Sequence, residues 1–98
     1  MKRAFVVRPL ARLDVLEAIE WYSDRSREIG AEFVRVLDAA FDSIRQNPAQ
    51  FPEVDGPIRK AVLRPFPYTI LFTAGETEIV VLSVFHVRRD PKHWKGRK

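Results

Sequence analysis

Residues 79–85 read Ile-Val-Val-Leu-Ser-Val-Phe, six apolar side chains in seven consecutive positions. A β-strand turns successive side chains to opposite faces, so a run that is apolar at both parities must be covered on both. This segment is therefore an interior strand, and the rest of the chain has to supply its neighbours and its cover. Its one polar residue, Ser83, reads as a hydrogen-bonded strand hydroxyl, because no glycine-flanked nucleophile elbow surrounds it. Two more strands precede it, Ile58 to Arg64 and Tyr68 to Thr73, broken apart by Pro65-Phe66-Pro67. The turn Ala74-Gly75-Glu76-Thr77 leads into the third, Glu78 to His86. Connections this short make antiparallel hairpins. A fourth strand, Ala4 to Val7, stands near the N-terminus and stops before Pro9.

Two helices lie between. The first runs from Leu10 to about Ser23, opened by Arg8-Pro9, with Val15, Ile19 and Tyr22 at i, i+4, i+7 and Leu16 and Ala18 beside them. Asp14, Glu17, Glu20 and Asp24 fall on the other side and read as a solvated face. The second carries one apolar stripe, Phe33, Leu37, Ala40, Phe41 and Ile44, with Ser26 as its cap and Asn47-Pro48 as its end. A helical hairpin follows. Residues 48–57, with Pro48, Pro52, Gly56 and Pro57, read as an ordered, irregular connection. The order β-α-α-β-β-β gives an α+β fold, one domain over residues 1–98, with the helical hairpin packed on an antiparallel meander sheet.

Composition excludes several classes. With no cysteine there is no disulfide framework, thiol nucleophile or Cys-ligated zinc. Two histidines give little basis for a metal, and four scattered glycines form no phosphate loop, so no cofactor is expected. No apolar run reaches the roughly 18 residues of a membrane span, and no signal peptide is visible, so the expected location is the cytoplasm, with no membrane partner.

The charge is segregated. Residues 1–57 carry 8 basic and 10 acidic side chains, whereas residues 58–98 carry 9 basic and 3 acidic. A basic end of this kind attracts a polyanion or an acidic protein segment, or is simply a solvated tail. The chemistry-bearing residues lie in this half. Arg59, Lys60 and Arg64 sit on the first meander strand, Tyr68 opens the second, and His86 ends the third ahead of Arg88 and Arg89. Antiparallel pairing can bring Arg64, Tyr68 and the His86–Arg89 turn to one edge. There guanidinium groups would hold phosphate, a ring would stack a base and an imidazole would move a proton, enough for metal-free RNA cleavage. The bland alternative makes Tyr68 a half-buried strand aromatic and His86 a residue closing the core. Trp94, beside Lys92 and Lys95, either stacks a base or pins the tail to the body through its N–H.

The segments Leu63-Arg64-Pro65-Phe66-Pro67-Tyr68-Thr69-Ile70-Leu71-Phe72 and Val81-Leu82-Ser83-Val84-Phe85-His86-Val87-Arg88-Arg89-Asp90-Pro91, with Trp94 and the Asn47-Pro48…Phe51-Pro52 joint, resemble the RelE/ParE superfamily of type II toxins. The resemblance covers nearly the whole chain. It departs at Arg8, where the family usually has a Ser or Thr. It implies a bacterial toxin held inactive by a cognate antitoxin, one that wraps it with a segment folding on binding; an acidic segment would suit the basic edge. In RelE-like members the implied activity is ribosome-dependent mRNA cleavage, with Arg64 and Arg88 on phosphate and His86 or Tyr68 transferring the proton. In ParE-like members it is poisoning of DNA gyrase, with the C-terminal segment implicated. Arg59, Lys60, Arg89, Lys92 and Trp94 are then binding residues in either case. The helices carry eight acids and four bases over residues 13–46, without the extra lysines that suit ribosomal RNA, and the pattern is closer to the ParE-named branch. A degenerate module that only binds antitoxin is the third reading.

Overall fold

A computed structural model describes residues 3–88 of the chain. Strand β1 (Ala4–Val7) gives way at Arg8 to helix α1 (Pro9–Arg25), with Pro9 in its first turn and no side-chain cap. Proline suits this place because the N–H it lacks would have no helical partner there. Helix α2 (Arg27–Gln46) starts after a single residue. Ser26 ends α1 with extended backbone and caps α2, its Oγ accepting from the Ile29 N–H at 3.3 Å. The capping and the ending at Asn47 agree with the sequence. The connection from residue 48 is more regular than expected. It holds a 3-10 turn (Pro48–Gln50) and a short strand β2 (Glu53–Asp55), ahead of β3 (Ile58–Val62), β4 (Tyr68–Ala74) and β5 (Glu78–His86).

The five strands form one sheet in the order β1-β5-β4-β3-β2. From β2 to β5 every pairing is antiparallel, while β1 joins the far side of β5 in parallel, Phe5 opposite Ile79 and Val7 opposite Val81. The apolar strand is thus interior, as its composition requires.

The helices lie on one face. Ala11 and Ala18 point α1 at the sheet, and their small size lets it sit close over β5. From α2, Phe33, Leu37 and Ile44 reach the same core, joining Leu63, Tyr68, Ile70, Phe72, Ile79, Val81 and Val84. Each large side chain buried in this way contributes about 1.5–3 kcal/mol. On the other face Ile58, Leu71, Val80 and Leu82 form a second buried cluster with Phe85 against it.

One residue departs from the helical pattern. Asp14, expected on the solvated side, is 5% exposed. Its Oδ2 accepts from the Val84 N–H at 3.0 Å and from the Ser83 hydroxyl at 3.3 Å. The cause is a β-bulge. Leu71 opposes Ser83 but Phe72 opposes Val81, so β5 carries one residue more than β4 between these two pairs. The Val84 amide lies beyond the end of β1 at Val7, and the carboxylate takes the place of the missing strand. Ser83 is the satisfied strand hydroxyl expected.

Candidate functional site

The bulge decides which side chains of β5 face the helices. Ile79 and Val81 face inward before it, and Val84 and then His86 after it. His86, at the strand's end, stands opposite Tyr68, the rings edge to face with centroids 5.3 Å apart. Tyr68 is continuous with an aromatic run from the core. Phe33 contacts Tyr22, Phe66 and Tyr68, and Tyr22 lies 6.2 Å from Tyr68.

Beyond His86 the chain turns, held by the Val87 N–H donating to the Pro67 carbonyl at 2.9 Å. This brings Arg88 beside the strand end. Helix α1 completes the wall with Glu17 and Trp21, one helical turn apart, and Tyr22. Together Glu17, Trp21, Tyr22, Tyr68, His86 and Arg88 line an open cavity of about 420 Å³, large enough for one small planar group or a partner's side chain. Trp21 is half exposed. The Arg25 guanidinium sits 3.3 Å over its ring and donates to its carbonyl, which holds the indole in place.

The chemistry of the pocket follows from its donors. The His86 Nδ1 accepts from the Arg88 backbone N–H at 3.1 Å. The neutral ring therefore carries its proton on Nε2 and presents a donor to any ligand. Burial, and secondarily the neighbouring Tyr68, push the Tyr22 phenol above its ordinary range, so it stays protonated and also donates. Arg88 adds a guanidinium, and Glu17 is the lone carboxylate in the lining. The arrangement favours an acceptor-rich or anionic group.

Of the residues singled out in the sequence, Tyr68, His86 and Arg88 come together here. Arg64 does not line this cavity. It is exposed, follows the end of β3 rather than lying in it, and precedes a cis peptide bond to Pro65. Arg59 is engaged internally: its Nη1 donates to the Phe51 carbonyl at 2.6 Å and its Nη2 lies 3.9 Å from Glu53, fastening β2 to β3. Lys60 is exposed on β3. Arg89, Lys92 and Trp94 lie outside the described residues. The sequence reading missed Glu17, Trp21 and Tyr22 as site residues. In the sequence Glu17 reads as solvated and Tyr22 as core, and their spacing on α1 says nothing about the strand end they face.

Among the described residues no group of three or more His, Asp or Glu side chains is placed to hold a metal, and no helix is long and apolar enough to cross a membrane.

The family described as "ParE toxin of type II toxin-antitoxin system, parDE" matches residues 5–91. No curated protein sequence matches the chain. Among solved structures, one titled "Chromosomal ParDE TA system from P. aeruginosa" superimposes with a TM-score of 0.75 at 17% identity, over 87% of this chain and 96% of that one. At that identity the superposition speaks for the fold, whereas the family match spans most of the sequence. The β-α-α-β-β-β-β order, the sheet and the matched residues together place this chain in the ParE toxin family of type II toxin–antitoxin systems.

Proposed function

We propose that the protein is the toxin of an antitoxin-controlled pair and halts growth by binding and poisoning DNA gyrase, without making or breaking bonds itself. The observation that carries this reading is the hydrogen bond from the Arg88 N–H to His86 Nδ1. An RNA-cleaving pocket needs a base for the 2′-hydroxyl proton. The acceptor nitrogen of His86 is already occupied, and Tyr22 holds its own proton. What remains suits recognition: the rings of Trp21, Tyr22 and Tyr68, a guanidinium and an N–H donor around an open cavity.

The antitoxin has a separate surface. Leu10, Leu13 and Leu16 stand half exposed or more along the outside of α1. Beside them Val7, Val15, Leu16 and Phe41 line an apolar groove of about 340 Å³ with Arg12 at its edge. An antitoxin segment with apolar anchors and an acidic residue fits there, folding as it binds.

The endoribonuclease reading keeps one support, the Glu17 carboxylate in the same lining as Arg88, a base opposite a cation. One experiment separates the two. Purified protein is mixed with gyrase and plasmid, and in parallel with translating ribosomes. Loss of supercoiling with gyrase-linked DNA breaks, weakened in Arg88→Ala and Trp21→Ala and without mRNA cuts, supports gyrase poisoning. Untouched supercoiling at stoichiometric excess overturns it, and codon-positioned cuts abolished by Glu17→Gln would install the nuclease in its place.

A further inference from the structure

We infer that Asp14 is a positioning residue, the group that turns His86 into the pocket by holding the bulge in β5. The functional consequence rests on the pocket being the surface that meets the target; the placement of His86 does not.

The register shows what is at stake. Phe72 pairs with Val81. Continued without a bulge, that ladder would set Ile70 opposite Ser83 and Tyr68 opposite Phe85. Each side chain after Leu82 would then change face, because the strand period is two. Phe85 would point at the helices and His86 away from them, and the cavity would lose its imidazole. In the observed register Tyr68 opposes His86, and Val84, fully buried, takes the core position.

Apolar burial does not choose the bulge. The regular ladder would turn Ser83 and the larger Phe85 inward, opposite Ile70 and Tyr68, where the bulged one turns Val84 and His86, so each register sends one apolar side chain to the core. The bulge also leaves the Val84 N–H without a strand beside it and sets the Ser83 hydroxyl in a fully buried place. Unpartnered buried groups of this kind are strongly disfavoured. Both are satisfied by Asp14 Oδ2, reaching in from α1 at 3.0 and 3.3 Å. Among the described residues, no buried side-chain nitrogen or oxygen is left unpaired. Asp14 lies one helical turn before Ala18 and two before Tyr22, so the helix that locks the bulge also delivers Glu17, Trp21 and Tyr22 to the rim. One carboxylate thereby sets both walls of the pocket in register.

The test uses the full-length purified chain and three readouts: melting, the NMR cross-peak between the His86 and Tyr68 rings, and growth arrest on expression. In Asp14→Ala the ring cross-peak is expected to be lost and growth arrest with it, while cross-peaks across the Ala61–Ile70 pair of β3 and β4 persist. Asp14→Asn, which keeps an acceptor oxygen for the Val84 N–H, is expected to retain the ring contact. A folded Asp14→Ala protein that keeps the His86–Tyr68 cross-peak overturns the inference. Should that variant not fold, hydrogen exchange of the Val84 amide in the unmodified protein decides. Slow exchange supports the clasp, and exchange as fast as that of an exposed turn amide overturns it. Loss of the cross-peak with growth arrest intact would uphold Asp14 and overturn the pocket as the target-facing surface.

Discussion

Gly30→Ala sets helix propensity against packing. Gly30 is buried in α2 where that helix crosses Ser23 of α1. A methyl group built on it would lie 2.1 Å from the Ser23 Oγ and 3.0 Å from both the Cα and the Cβ of Ser23. Alanine is the better helix former by about 1 kcal/mol. The hydroxyl can rotate away, since Ser23 is exposed. The Cα cannot, because moving it means moving α1. Overpacking of this kind costs about 1–3 kcal/mol. Separating the helices would also loosen the stacked Tyr22 and Phe33, whose centroids are 5.3 Å apart. The clash should outweigh propensity, for a net loss of about 1 kcal/mol, or about 4–8 °C in melting temperature for a domain of this size. Far-UV circular dichroism on purified protein measures it. Adding Ser23→Ala removes the nearest atom only and should recover part of the loss. A Gly30→Ala protein that melts higher than the parent would refute the close helix approach.

Four further outcomes are expected. Ser26→Ala removes the cap of α2 and should lower stability by about 1 kcal/mol in urea unfolding. Glu28 is held below the ordinary carboxylate range, first by the backbone N–H at its own position and then by the Ser26 hydroxyl. Its stabilisation is present above the unfolded carboxylate range and is lost as pH falls through the lowered value, so the stability gap between the parent and Glu28→Gln should close in acid. Tyr22, raised chiefly by burial, works in the opposite direction: stability declines as pH rises past the ordinary tyrosine range, and Tyr22→Phe should flatten part of that decline. Arg59→Met should cost about 1–2 kcal/mol through the lost bond to the Phe51 carbonyl and raise hydrogen exchange around β2, with the ring contact of Tyr68 and His86 unchanged.

Much of the scaffold was legible before any coordinates. The helical stripe of α2, the cap at Ser26, the stop at Asn47-Pro48 and the limits of β5 are local signals, written within a few residues of where they act. The candidate site was legible only in its strand half. Tyr68, His86 and Arg88 could be placed together because hairpin pairing is local. Arg64 belongs to the same edge only if β3 runs through it, whereas the last bond of that ladder is the Leu63 N–H to the Tyr68 carbonyl and the chain turns away after it. Arg59 looked like a cation for a ligand and instead serves the Phe51 carbonyl, a partner that no spacing rule indicates.

From its amino-acid order alone this chain determined an interior strand, two amphipathic helices and a basic C-terminal half, because periodicity and charge are properties of neighbouring residues. Tertiary structure alone decided the face of His86, the burial of Asp14 and the company of Glu17, Trp21 and Tyr22. The reason is that a single bulge inverts every side chain beyond it, and it persists here through one carboxylate about seventy residues away in sequence, a contact that exists only once α1 has settled on β5.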